Sequence, residues 1–318
     1  MSLPLMPLRV LEQLMDANLG YLAALSTSFF FTFTAICFEF SAKRIGSLAL
    51  NILRLLIALI IFSGLGLALR GEAFPMGVDS SAWFWLTLSG LVGFVFGDLF
   101  LFQAYVDIGA RLTQVIFSSA PLIAALIGFI ALGERIAPAG LAGMLLVVAG
   151  IALVILDKGA SPAEKAPASV VPAARRLRGA VFALLGALGQ AGGFVLSKIG
   201  APSSDPFVAT QIRVIAGFAG FLVVAALWGR LKEPIAAFKD GKAIGAISVG
   251  SFFGPFLGVS LGLFAVQRSS AGVAATLMGL PPILILIPAV FINKEKVRLR
   301  EALGAAVAVA GSAILFLA

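Results

Sequence analysis

Apolar residues in this chain fall into long blocks, and polar ones collect in the short stretches between them. A helix needs about 20 mostly apolar residues to cross the roughly 30 Å hydrocarbon core of a bilayer. Ten blocks fit that requirement: Gly20–Phe40, Leu48–Leu69, Trp83–Tyr105, Ala110–Leu132, Pro138–Leu156, Gly179–Ile199, Phe207–Trp228, Ile244–Val266, Ala271–Ile292 and Glu301–Leu317. The connections around Asp107 and Arg268 are so short that spans 3–4 and 8–9 are expected to be antiparallel neighbours. Only Asp157–Arg178 reads as a long polar linker. Trp83, Trp85 and Trp228 sit at span ends, where indole rings favour the headgroup layer.

The blocks repeat. Shifted by 161 positions, Gly93–Leu156 aligns on Gly254–Leu317 without a gap. Gly93, Gly97, Ala104, Ala110, Pro121, Glu134, Gly143, Ala149 and Gly150 meet Gly254, Gly258, Ala265, Ala271, Pro282, Glu295, Gly304, Ala310 and Gly311. Upstream the offset becomes 159, and Arg54 falls on Arg213. Matched glycines, prolines and glutamates at one spacing are much harder to obtain by chance than matched leucines. Five spans per half is an odd number, so consecutive insertion turns the halves over relative to one another, as in many carriers with a site at the repeat interface. The expected fold is an all-α membrane protein of ten transmembrane helices in two inverted five-helix repeats. Its parts are a segment 1–19, repeats over 20–157 and 179–318, and a linker 158–178.

Composition narrows the solvent and the chemistry. Hydrophobic residues make up 60% and charged ones 12%, with a mean hydropathy of +1.08. A soluble domain carries about 25% charged residues, so lipid is the expected solvent. The net charge of +8 does not point to nucleic acid, because the basic residues flank the apolar blocks instead of forming one face. With a single cysteine, Cys37, there is no intramolecular disulfide. With no histidine there is no His-ligated metal site and no Ser–His or Cys–His nucleophile. No metal or cofactor is expected. Residues Met1–Asn18 lack the order of a cleavable signal, so the first span is expected to serve as its own targeting signal.

The stretch SSAPLIAALIGFIALGERIAPAGLAGMLLVVAGIALVIL and its second copy, MGLPPILILIPAVFINKEKVRLREALGAAVAVAGSAILFL, resemble the EamA-type branch of the drug/metabolite transporter superfamily. A span-4 proline, a following Gly-Glu-Arg step, a glycine-spaced span 5 and an arginine in NILRLLIAL carry the likeness. The second copy departs from it with Lys294-Glu295-Lys296. The resemblance implies a ten-helix exporter or exchanger of small metabolites, amino-acid-like or other organic solutes, in the cytoplasmic (inner) membrane. A membrane-embedded enzyme acting on lipid or prenyl substrates and a non-transporting scaffold are the alternatives. The enzyme would need a clustered set of acids, bases or metal ligands, and this chain shows isolated carboxylates instead.

Charged and polar residues inside the blocks are the site candidates. Asp98 lies in the third span near the midplane, where a carboxylate is costly and functional by default. Phe102 and Tyr105 follow it at i+4 and i+7 on one helix face, with Gln103 alongside. Two readings of Asp98 stand: a proton or cation site facing a polar cavity, or a carboxylate neutralised by an arginine. Its repeat equivalent is Val259, so the carboxylate is one-sided. Arg54 and Arg213 either snorkel to an interface, pair with Asp98, or hold substrate carboxylates through the planar guanidinium fork. Glu39 ends a stripe with Ser28, Thr32 and Ala35 and reads as a boundary residue or carboxylate partner. Gln114 and Ser118 share a face with Pro121 on span 4; Thr276 precedes Pro281 and Pro282 on span 9; Gln190 in span 6 joins these candidates.

Prolines inside spans 4 and 9 are expected to kink them and free backbone carbonyls. The pairs Gly93/Gly97 and Gly254/Gly258 have the spacing for close helix contact. Glu134 and Glu295 read as braces in turns. Sixteen lysines and arginines lie in the odd loops and linker and five in the N-terminus and even loops. That bias places both termini outside, whereas the resemblance implies termini inside. The expected partners are a small-molecule substrate, a coupled proton or exchanged solute, and the bilayer, with monomer and homodimer both open.

Overall fold

The computed structural model describes residues 8–117, 119–156, 173–200, 202–284 and 299–317. Within them the chain is helical and no strand is present. In order come α1 (Leu8–Ile45), α2 (Ser47–Arg70), α3 (Ser80–Gly90), a π-helical turn (Leu91–Gly97), α4 (Asp98–Phe117), α5 (Ala120–Leu132), α6 (Pro138–Leu156) and α7 (Ala173–Gly200). Then follow α8 (Pro206–Leu227), α9 (Lys232–Ala237), α10 (Gly241–Ser251), a second π-helical turn (Phe252–Gly258), α11 (Val259–Arg268), α12 (Ala271–Met278), α13 (Pro281–Leu284) and α14 (Leu299–Leu317).

The boundaries have local causes. Gly46 (φ 83°) separates α1 from α2, a backbone angle open to glycine and costly for other residues. Gly71, in the left-handed region, closes α2 with its N–H on the Leu67 carbonyl. Asp79, Asp205 and Asp240 accept from the first free amides of α3, α8 and α10.

Among the described residues six helices are long and apolar enough to cross a membrane: Asp16–Ala42, Ser47–Arg70, Ser80–Ala104, Ala174–Gly200, Pro206–Leu227 and Gly241–Arg268. Ala120–Leu132, Pro138–Leu153 and Ala302–Leu315 are shorter apolar helices. Large apolar side chains such as Ile60, Phe84, Ile130, Val223 and Val309 point outward. In water such a surface would aggregate; here it is the face that lipid covers.

Two expectations need correction, and two helices run past the expected boundaries. The turn around Asp107 does not form: α4 is continuous from Asp98 to Phe117. No proline interrupts it, and the Asp107 carboxylate is neutralised in place by arginines of α7. Helix α1 begins at Leu8, inside the segment read as preceding the first span. The last six residues of the expected linker, from Ala173, already belong to α7, since polar residues extend a helix readily beyond the apolar core. Finally, Pro121 does not kink a continuous helix. It stands in the first turn of α5, where its missing N–H costs nothing. Pro281 likewise opens α13 after a break at Gly279 and Leu280. Residue 119 of the first break and residue 280 of the second are equivalents at the 161 offset. Residues 285–298, with Pro288 and Glu295, lie outside the described residues.

Glycines set the packing between halves. On α7, a Cβ on Gly193 would stand 2.8 Å from the Gly93 Cα, and one on Gly189 2.6 Å from the Gly97 Cα. These two backbones touch because neither has a side chain in the way. In the mirrored arrangement, Gly254 and Gly258 receive Thr34 and Phe31 of α1. Thus the third span of each half packs on the first helix of the other. Gly143 meets Gly311 and Gly150 meets Gly304 in the same reciprocal sense, so α6 and α14 cross antiparallel.

Candidate functional site

Arg54 and Arg213 are each the eighth residue of their helices, α2 and α8. At 1.5 Å per residue each lies about 10 Å along its helix. Arg54 is 6% exposed and Arg213 1%, so neither reaches an interface by snorkelling. Burial of an ion is costly without a partner, and the two arginines differ in what they have found.

Arg54 is fully engaged. Its Nη2 donates to Oδ2 of Asp98, itself 6% exposed. Its Nε donates to Oδ1 of Asn51 at 2.9 Å, and Asn51 Nδ2 is tied to the Ser47 carbonyl at 3.1 Å. The rings of Phe102, Phe38 and Phe94 lie 5.5, 5.7 and 5.9 Å from the guanidinium carbon, within cation–π range. Asp98 is the first residue after a π-helical turn, its N–H on the Phe94 and Val95 carbonyls. The widened turn resets the register of everything beyond it, and such turns recur at functional sites. The second half carries its π-helical turn at the equivalent place, where Pro255 cannot donate to the helix ladder.

Arg213 lies between Phe94 at 5.1 Å and Phe194 at 5.7 Å. A Cβ on Gly93 would be 3.3 Å from Arg213 Nη2 and 3.8 Å from Gln190 Oε1, so these two polar groups converge on the bare backbone of Gly93. Buried Nε and Nη1 of Arg213 have no hydrogen-bond partner among the described residues. The Phe94 ring is common to both arginines, and Asp98 interacts electrostatically with both.

Of the sequence candidates, the structure brings together Asp98, Phe102, Arg54, Arg213, Gln190 and Gly93. Gln103 belongs elsewhere: its Nε2 donates to Asp107 Oδ1 at 3.3 Å. There Arg178 of α7 grips Asp107 as a fork, Nη2 to Oδ1 at 2.7 Å and Nε to Oδ2 at 2.8 Å, with Arg175 at 3.6 Å. The hydrogen bond from Arg178 holds the Asp107 carboxyl below its ordinary value against the opposing effect of burial. Thr276 spends its hydroxyl on the Gly272 carbonyl one turn back, at 2.7 Å. Gly97, Gly254 and Gly258 serve the interhelix contacts described above. Ser118 lies outside the described residues, as do the side chains of Glu39, Tyr105, Gln114 and Pro282. Asn51 was not a sequence candidate. Its signal is an amide three residues before the arginine in a mostly apolar helix.

At the far end of α7, Lys198 Nζ reaches Glu134 Oε1 at 2.6 Å and the Ser269 carbonyl at 2.5 Å. The other Glu134 oxygen accepts from Ala271 N–H at 2.9 Å, opening α12. The brace therefore acts across the halves. Arg178 and Lys198 are 20 residues apart on one helix, about 30 Å at helical rise and so a hydrocarbon thickness.

Long apolar helices with ion pairs at their ends and Arg54, Asp98 and Arg213 enclosed between them define a multi-pass membrane protein. The chain belongs to the EamA-like transporter family, which it matches twice, over residues 18–156 and 177–317. It is thereby a membrane transporter of small solutes. A crystal structure of another protein shares the fold, with a TM-score of 0.69 and 20% identity over 94% of this chain and 96% of that one. No curated protein matches.

Proposed function

We propose that the protein is a secondary carrier, an exporter or exchanger that moves a small amino-acid-like or other organic solute across the cytoplasmic membrane by alternating access. Ten spans in two inverted five-helix repeats form its scaffold. Three matched features support the inversion: the reciprocal glycine contacts of α6 and α14, the π-helical turns, and the helix breaks ahead of Pro121 and Pro281. Broken helices at equivalent places are a sequence-level and structural mark of a central carrier site.

The observation that carries the reading is the enclosed Arg54–Asp98 pair beside Arg213. It lies where α2 and α4 of the first half meet α7 and α8 of the second. Ionised groups inside a membrane are expensive and mark transport pathways. A scaffold has no need of them. Counterflow in vesicles reconstituted with the purified protein, with and without a pH gradient, tests the reading. Solute exchange that disappears in Asp98→Asn is the expected result. Flux and pH dependence unchanged in that variant would remove Asp98 from the mechanism, and product formation without flux would make the protein an enzyme.

A further inference from the structure

The two halves use the same arginine in different states of satisfaction. Arg54 has two acceptors, Asn51 Oδ1 at i−3 and Asp98 on the facing span. At the repeat offsets their equivalents are Thr210 and Val259. Neither replaces what was lost. The Val259 side chain has no acceptor, and Thr210 Oγ1 is itself buried without a hydrogen-bond partner among the described residues. Arg213 keeps the charge, the depth and an aromatic surround, yet its Nε and Nη1 point at no acceptor among the described residues. Burying a guanidinium with two donors lacking an acceptor among the described residues is costly, and this arginine is kept.

We propose that Arg213 binds the carboxylate of the transported solute, with Thr210 and Gln190 beside it, so that the solute supplies in the second half the acceptor that Asp98 supplies in the first. The inference rests on the carrier reading and names its substrate class. A carboxylate fits the guanidinium fork through two parallel N–H donors, and Nε with an Nη is one such pair. Phe94 and Phe194 flank the same guanidinium and give the body of the solute an apolar surround. Arg213 is 1% exposed, so a solute reaches it only when the surrounding helices part, as alternating access requires. With its acceptor bound, the second half becomes electrically like the first.

The test uses full-length protein in a neutral detergent. Thermal stability is recorded with benzoate, acetate and succinate, each against its amide, at millimolar concentration. At least one carboxylate is expected to stabilise the wild type while its amide does not. Arg213→Gln should weaken that response roughly 10-fold or more, the scale of a charge-assisted hydrogen bond. Should Arg213→Gln fail to fold, Val259→Asp keeps the question open to refutation. It supplies an internal carboxylate where the first half has Asp98, and should abolish the response in a folded protein.

A response retained in Val259→Asp, amides as effective as carboxylates, or no carboxylate response in the wild type each overturns the proposal. Stabilisation by phosphatidylglycerol vesicles alone, lost in Arg213→Gln, also overturns it by making Arg213 a lipid site. Counterflow separates this failure from that of the carrier reading. Flux of a neutral solute unaffected by Arg213→Gln refutes the carboxylate site and leaves the carrier. Carboxylate binding through Arg213 without any flux refutes the carrier.

Discussion

Arg54 and Arg213, the eighth residues of α2 and α8, share the Phe94 ring, which lies 5.9 Å from one guanidinium carbon and 5.1 Å from the other. The two helices belong to different halves and run antiparallel, Arg70 at the end of α2 bonding Gln211 near the start of α8, yet they bring their charges to one aromatic side chain. Asp98, four residues beyond Phe94, hydrogen-bonds only one of them. The centre of the bundle therefore holds two positive groups and one negative group.

Asp98→Asn leaves Arg54 enclosed without a counter-charge. Breaking a buried pair from one side costs about 3–5 kcal/mol, whereas removing both members together costs far less. The single variants Asp98→Asn and Arg54→Gln are expected to melt well below the wild type in detergent, and Arg54→Met/Asp98→Leu to recover much of the loss. Additive losses in that double-mutant cycle would mean that the two side chains do not interact.

Two neighbouring glycines of α7 should respond unequally to the same methyl group. A Cβ on Gly193 would sit 2.8 Å from the Gly93 backbone, whereas one on Gly192 meets only Val92 Cγ1 at 3.4 Å. Gly193→Ala should cost about 1–3 kcal/mol by overpacking, and Gly192→Ala close to nothing. Equal melting temperatures for the two variants would contradict the backbone contact between α7 and the first π-helical turn.

Asp107 sets a pH dependence of known sign. Its folded-state pKa lies below the unfolded value because Arg178 hydrogen-bonds the charged form. The stability it contributes is therefore present above the unfolded pKa of about 3.9, and disappears as pH falls through the depressed folded value. At pH 7, Asp107→Asn should melt earlier than the wild type. At pH near 3 the difference should shrink, which paired melting curves at the two pH values would reveal.

Interhelix ion pairs stand at two levels. Arg44–Asp240 at 2.7 Å and Arg178–Asp107 at 2.7 Å occupy one, with Lys198–Glu134 at 2.6 Å and Arg268–Asp16 at 3.1 Å at the other. In a Cys37→Ala background, Ser203→Cys ahead of α8 and Lys239→Cys between α9 and α10 should react with an impermeant thiol reagent from opposite sides of the membrane. Labelling of both from one side would show that α8 does not cross. Which of the two reacts in intact cells decides the side of the termini.

By itself the sequence determined the solvent, the halves and the unusual residues. Hydropathy is carried residue by residue, so the apolar blocks are legible without a fold. A repeat is a relation between two stretches of the same text, and it marked Gly93 with Gly254 and Arg54 with Arg213 before any contact was known. Asp98 stood out for a similar reason: a carboxylate in an apolar block is visible wherever it points. What each of these residues touches was decided only by the tertiary structure, because helices that pack together are distant in the chain. Arg54 meets Asp98 across 44 positions, and Gly193 meets Gly93 across a larger gap. Gln103, next to Phe102 in sequence, turns to Asp107 because Arg175 and Arg178 gather charge at that end of α7. The proline breaks were legible as interruptions, but not as helix starts, since a proline's missing donor costs nothing in a first turn. Arg213 shows the division most clearly. Its equivalence to Arg54 is written in the sequence, while the lack of an acceptor for its Nε and Nη1 among the described residues follows from which neighbours the fold placed around it.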